Sequence, residues 1–88
     1  MLRADFTNRF KKDYKLAARR GLDLNLIDEV IRALINETPL GARFNDHLLI
    51  GQYNGRRECH LKPDWLLIYR IEEDLIVFER TGTHADLF

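Results

Sequence analysis

The chain has 88 residues, 45% hydrophobic and 32% charged, with a formal net charge of zero. That apolar content excludes intrinsic disorder, and a single cysteine, Cys59, excludes an internal disulfide or a cysteine-pair metal motif. No apolar run approaches the roughly 20 residues that span a bilayer, and Met1–Phe6 lacks the apolar stretch of a signal peptide. One domain spanning 1–88 is expected, soluble and cytoplasmic, with no membrane association. Neutrality hides an asymmetry: residues 1–20 carry seven Lys/Arg against two Asp, and the remainder carries the opposite imbalance. A basic helix of this kind can bind a polyanion locally; it can equally be a solvated face.

In chain order, residues 2–5 suit a short strand. From Phe6 the pattern turns helical, with Phe6, Phe10, Tyr14 and Ala17 at spacings of three or four and cations falling between them. Gly21 ends this helix. Asp23 or Asn25 can cap a second, in which Leu26, Ile27, Val30, Ile31, Leu34 and Ile35 form an apolar stripe, and Pro39 and Gly41 stop it. The two helices should pack as an antiparallel pair or lie together across a sheet.

After Gly41 the period changes to that of strands. His47–Ile50 is a short strand, Gly51 and Asn54-Gly55 mark turns, and Arg56–Leu61 is a second strand. Leu61-Lys62-Pro63-Asp64 reads as a turn, because Pro63 cannot donate to a ladder. Trp65–Ile71 is the strongest strand, apolar enough to lie centrally with both faces covered. Glu72–Asp74 forms a hairpin loop before Leu75–Arg80. The expected class is therefore α+β: a short N-terminal strand and two helices packed on a small, mainly antiparallel twisted sheet.

If the last three strands form an antiparallel meander, the end of 56–61, the start of 65–71 and the end of 75–80 meet at one sheet edge. His60, Asp64 and the tail bearing His84 then become neighbours, and His47 can approach from the loop after the second helix. Imidazoles titrate near neutral pH, so one can accept a proton while another donates. Cleavage of RNA by internal transesterification needs these acts, plus charge stabilisation at the phosphoryl group. Asp64 can orient an imidazole, act as base, or cap the turn. Three histidines and an aspartate could instead hold zinc, but spacings of 13 and 24 residues match no metal motif, and no metal or other cofactor is expected. Trp65 and Phe88 can stack on bases, although Trp65 also suits the core. Cys59 reads as a small buried residue.

Three elements together resemble a known family. They are Asp46-His47-Leu48-Leu49, His60–Trp65 followed by Leu66-Leu67-Ile68-Tyr69, and Phe78-Glu79-Arg80-Thr81-Gly82-Thr83-His84-Ala85-Asp86-Leu87-Phe88. Over nearly its full length the chain resembles the YafQ-like branch of the RelE/ParE toxin superfamily, bacterial ribosome-dependent mRNA interferases. The resemblance implies a RelE-like microbial-RNase fold. It also implies an active region at His47, His60, Asp64, Trp65, His84 and Phe88, to which Arg80 is added as a phosphate contact and Lys62 as electrostatic support. His84 is expected as general acid, and Asp64 with His60 or His47 as the proton-accepting side. Arg80 can alternatively pair with Glu79 or a tail carboxylate. The implied partners are a cognate antitoxin, the ribosomal decoding site and its mRNA, with the basic helix meeting ribosomal RNA. The competing reading is a non-catalytic toxin-fold module that binds gyrase or RNA, as ParE-type relatives act on gyrase without this histidine set.

Overall fold

The computed structural model describes residues 1–88. Its sheet has the strand order β1-β5-β4-β3-β2, in which β1 is Arg3–Phe6, β2 His47–Leu48, β3 Arg57–Lys62, β4 Trp65–Glu72 and β5 Leu75–Gly82. The last three strands form the expected antiparallel meander, whereas β1 pairs in parallel with β5, bringing the chain's start beside its end. With helices α1 (Asn8–Arg19), α2 (Leu24–Ile35) and α3 (His84–Leu87), the architecture is α+β, three helices on a five-stranded, mostly antiparallel sheet.

The helices form where caps and periodicity agree. The Thr7 side chain accepts from the Phe10 N–H at the start of α1, and the Asp23 side chain accepts from Asn25 at the start of α2. Gly21, at φ 75°, makes the left-handed turn after α1 that a Cβ would disfavour. α2 stops at Ile35, ahead of Pro39, because Asn36 leaves the helix and Glu37 turns left-handed at φ 58°. The strand expected at His47–Ile50 is shorter than its apolar letters suggest. Only His47 and Leu48 pair with β3; Ile50 is exposed, and Gly51–Tyr53 form a 3-10 turn.

Strand alternation sorts the sheet into two faces. Cys59 and Leu61 of β3, Trp65, Leu67 and Tyr69 of β4, and Ile76 and Phe78 of β5 join Phe10, Ile27, Val30 and Leu34 in the main core beneath α1 and α2. The alternate residues of β3, Glu58 and His60, lie on the opposite face. There Leu66 and Ile68 pack with Leu87 of α3 in a second, small cluster. β4 is thus covered on both faces, as its sequence predicts. A bulge leaves Glu79 unpaired between Phe78 and Arg80. Its carboxylate accepts from Arg56 Nε and Arg70 Nε, both at 2.8 Å. No helix is long and apolar enough to cross a membrane.

Candidate active site

The open face of the sheet gathers all three histidines. The His47 and His60 rings lie 6.0 Å apart between centroids, as do those of His60 and His84. The row follows from pairing: His47 stands opposite Glu58 across β2 and β3, while Asp64, in the turn from β3 to β4, reaches the start of α3.

His47 is held from below. The Asp46 carboxylate accepts from Tyr69 Oη at 2.6 Å and from Arg57 Nε at 3.1 Å. Burial, reinforced by the bond to Asp46, pushes the Tyr69 hydroxyl well above its ordinary value, so it stays a neutral donor. Asn45 adopts a left-handed conformation that brings its carbonyl within 2.6 Å of His47 Nδ1. A carbonyl can only accept, so Nδ1 carries the hydrogen and Nε2 is the ring position left for chemistry. That Nε2 lies 3.1 Å from Glu58 Oε2, and His60 Nε2 lies 3.9 Å from the same oxygen. Glu58 is only 5% exposed, and the two imidazoles are its charge partners. A buried carboxylate without a cation is costly, and these two imidazoles are the groups beside it that can supply one.

Glu58 is the residue that reading the sequence missed. Its one signal was position: two residues before His60, it falls on the same face of the strand. His47, Glu58 and His60 also place one donor atom each within 4.8 Å of one another, the one group in the molecule with metal-holding geometry. Asp64 and His84, counted in the alternative zinc set above, are outside it.

His84 is positioned by the tail. Thr83 and Asp86 form a capping box, with the Asp86 backbone N–H donating to Thr83 Oγ1 and the Thr83 N–H donating to the Asp86 carboxylate. Arg20, just past α1, makes two further bonds to Asp86, at 2.7 and 3.3 Å. The Arg20 guanidinium, followed by the Thr83 N–H, holds the Asp86 carboxyl far below its ordinary range. Gly82 packs so tightly beneath that a Cβ there would stand 2.9 Å from the Asp86 Cβ. On the other side, Gln52 and the Tyr53 hydroxyl both donate to the Leu87 carbonyl. The Tyr53 ring meets Phe88 edge-on at 5.3 Å.

The other expected site residues divide. Phe88 is 57% exposed with its ring 6.4 Å from that of His84, free to stack on a base. Lys62 is exposed and lines a small cavity with His60 and Arg43. Trp65 is a correction: it is 3% exposed inside the main core, so its indole cannot stack on substrate. Arg80 is engaged by neither Glu79 nor a tail carboxylate. It donates to Asp13 of α1, with Nε 2.7 Å from Oδ2, and lines a shallow pocket with Arg9 and Tyr53.

The family model described as "Bacterial toxin of type II toxin-antitoxin system, YafQ" matches residues 2–88, and the chain belongs to that family. The mRNA interferase toxin YafQ of Escherichia coli is 46% identical over 85 residues, covering 96% of this chain and 92% of that protein. YafQ in the crystal structure of the E. coli DinJ-YafQ complex superposes with a TM-score of 0.94 at 44% identity, covering 100% of this chain and 99% of that one. A metal-bound toxin from Helicobacter pylori gives a TM-score of 0.92 at 41% identity over the whole of both chains.

Proposed function

We propose that residues 1–88 act as one domain, an mRNA interferase: a cytoplasmic endoribonuclease that cuts mRNA at the ribosomal decoding site and is neutralised by a cognate antitoxin. The observation that carries this reading is the row of three imidazoles at 6.0 Å steps, with Glu58 beside both His47 and His60 and Asp64 on His84. A phosphoryl group lying along it would be within hydrogen-bond reach, about 2.6–3.2 Å, of rings on both sides. The group His47–Glu58–His60 takes the 2′-OH proton and holds positive charge beside the phosphoryl oxygens. His84, with Nδ1 turned to Asp64, protonates the leaving 5′-oxygen through Nε2. Asp64 is therefore the orienting group of the acid, in place of the base role expected from sequence. Phe88 stacks on a base, and Lys62 supports the phosphate charge. Arg80 anchors α1 through Asp13 and offers its remaining N–H groups to the backbone of the RNA.

None of these steps calls on a metal ion, and the chemistry is read as metal-independent. Should a divalent ion occupy His47, Glu58 and His60, it would take up the lone pairs that the base needs. The basic helix α1 meets ribosomal RNA, an interaction that weakens steeply with salt. The test is to map cut sites and ends in mRNA on translating ribosomes treated with the purified chain and an excess of a zinc-selective chelator that leaves Mg2+ free. Codon-phased cuts leaving 5′-hydroxyl ends are expected. Intact mRNA accompanied by a supercoiling defect would replace this reading with the gyrase-binding one, and cleavage abolished by chelator and restored by zinc would overturn metal independence.

A further inference from the structure

A cavity of about 280 Å³ opens beside His60, walled by Arg43, Phe44 and Asn45 on one side and by Lys62 and Pro63 on the other. The room exists because the edge strand is short. β2 pairs only with Arg57 and Glu58, so β3 from Cys59 to Lys62 has no strand on that side, and the 3-10 turn Ala42–Phe44 packs there instead. No carboxylate lines the cavity, so its cations have no acid to pair with inside it.

Arg43 is the cation there without a task. It is exposed, and its guanidinium carbon lies 4.4 Å from the centre of the Phe44 ring, a cation–π contact that steadies the plane and leaves its N–H edge for a ligand. Asn45 ties the same wall to the histidine row, because its carbonyl accepts from His47 Nδ1 at 2.6 Å.

We propose that this cavity is a base-binding subsite, which takes the base of the nucleotide whose 2′-OH attacks, and that Arg43 selects that base. It rests on the mRNA-interferase reading above, in which His47, Glu58 and His60 take the 2′-OH proton. The ribose of that nucleotide then lies against His60, whose side chain also lines the cavity. A guanidinium fork carries donors only, held side by side. It pairs with a base that presents two adjacent acceptors: guanine through O6 and N7, or cytosine through O2 and N3. Adenine sets its amino donor beside both N1 and N7, and uracil sets an N–H between its two carbonyls, so neither matches the fork. The Asn45 amide, which donates and accepts, serves what remains of either edge. Phe44 and Pro63 give the cavity apolar surface that a base can use and a phosphate cannot.

The test is single-turnover cleavage by the full chain on ribosomes carrying a set of mRNAs that differ only in the nucleotide immediately 5′ of the mapped cut. Wild type is expected to cut after G or C about 5- to 100-fold faster than after A or U, and the G and C arms show which of the two edges the fork reads. Arg43→Leu should bring all the rates within about 3-fold of one another, chiefly by loss on the preferred base. Arg43→Lys keeps the charge and loses the fork, so it should lose the discrimination as well. Lys62→Met, which removes a charge that serves the phosphate, should slow every substrate alike. Arg43 is exposed on a surface turn, and unchanged melting temperatures would show that its variants fold. A wild-type preference for A or U, or for no base, overturns the proposal, as does an unaltered preference in both Arg43 variants. Equal slowing on every substrate by Arg43→Leu, with recovery in Arg43→Lys, overturns it too and makes Arg43 a phosphate contact. A wild-type chain that cuts no ribosome-bound mRNA would instead overturn the interferase reading from which the subsite is argued.

Discussion

His84 and Asp64 are joined twice through one oxygen: Asp64 Oδ1 accepts the His84 backbone N–H at 2.8 Å and lies 2.6 Å from His84 Nδ1. The first bond fixes where α3 begins, and the second fixes which ring nitrogen carries the hydrogen. One carboxylate therefore sets both the position and the tautomer of the proposed acid. Asp64→Asn retains an oxygen for the backbone N–H but removes the charge that defines the tautomer. The expected outcome is a fall in kcat of about 10- to 100-fold, with KM changed far less, measured by single-turnover cleavage on ribosomes. A wild-type kcat in the folded variant would return Asp64 to a turn-capping role.

The tail should loosen in acid before the core does. The His84 backbone N–H, and then its ring, hold Asp64 below the ordinary carboxylate value of 3.8, and Arg20 does the same to Asp86. A depressed folded-state value means that the unfolded chain takes up protons first. The contribution is therefore fully present above about pH 5 and is lost as pH falls through the folded values below 3.8. Amide exchange in residues 83–88 should accordingly be flat from pH-corrected rates between pH 5 and 8 and rise below pH 4. Arg20→Ala should raise tail exchange at neutral pH, and Gly82→Ala should lower cleavage by displacing α3 through Asp86.

Glu58→Gln keeps the volume of a 5%-exposed side chain and removes its charge. His47 and His60 then lose the charged acceptor that lies 3.1 and 3.9 Å from their Nε2 atoms. Cleavage is expected to drop by about 100-fold. Because Gln keeps the size and a polar end in the same place, the melting temperature should stay within about 5 °C of wild type. A large loss of stability with modest loss of cleavage would make Glu58 a packing residue.

Cys59 is fully buried between the sheet and the helices, and burial pushes its thiol up to about 12, with Asp46 and Glu58 adding to the shift. The thiolate is the reactive form. Iodoacetamide at pH 8 should therefore leave the native chain unmodified and label it only on unfolding, as intact mass would report.

Much of this architecture was legible in the residues, for physical reasons that differ by element. β4 and β5 announce themselves because a strand buried on both faces needs an unbroken apolar run, and the meander then brings His60, Asp64 and His84 together. The parallel pairing of β1 with β5 was not legible, since four residues hold too little pattern to choose a partner. Nor was α3: a single helical turn has no periodicity, and only Thr83 and Asp86, spaced as a capping box, mark it. Trp65 was assigned to substrate because its motif lies beside the site, but alternation along β4 turns it into the helical core. Asp13, 67 residues from Arg80, satisfies a guanidinium that local sequence would pair with its neighbours.

The central claim is that His84 protonates the leaving oxygen, and a substrate with sulfur at the bridging 5′ position tests it most directly. A thiolate leaves without help from an acid. On the natural linkage, His84→Gln should cleave about 100- to 10,000-fold more slowly than wild type. On the 5′-phosphorothiolate the two enzymes should cleave at nearly equal rates. An equal defect on both substrates would contradict the account and assign His84 to binding.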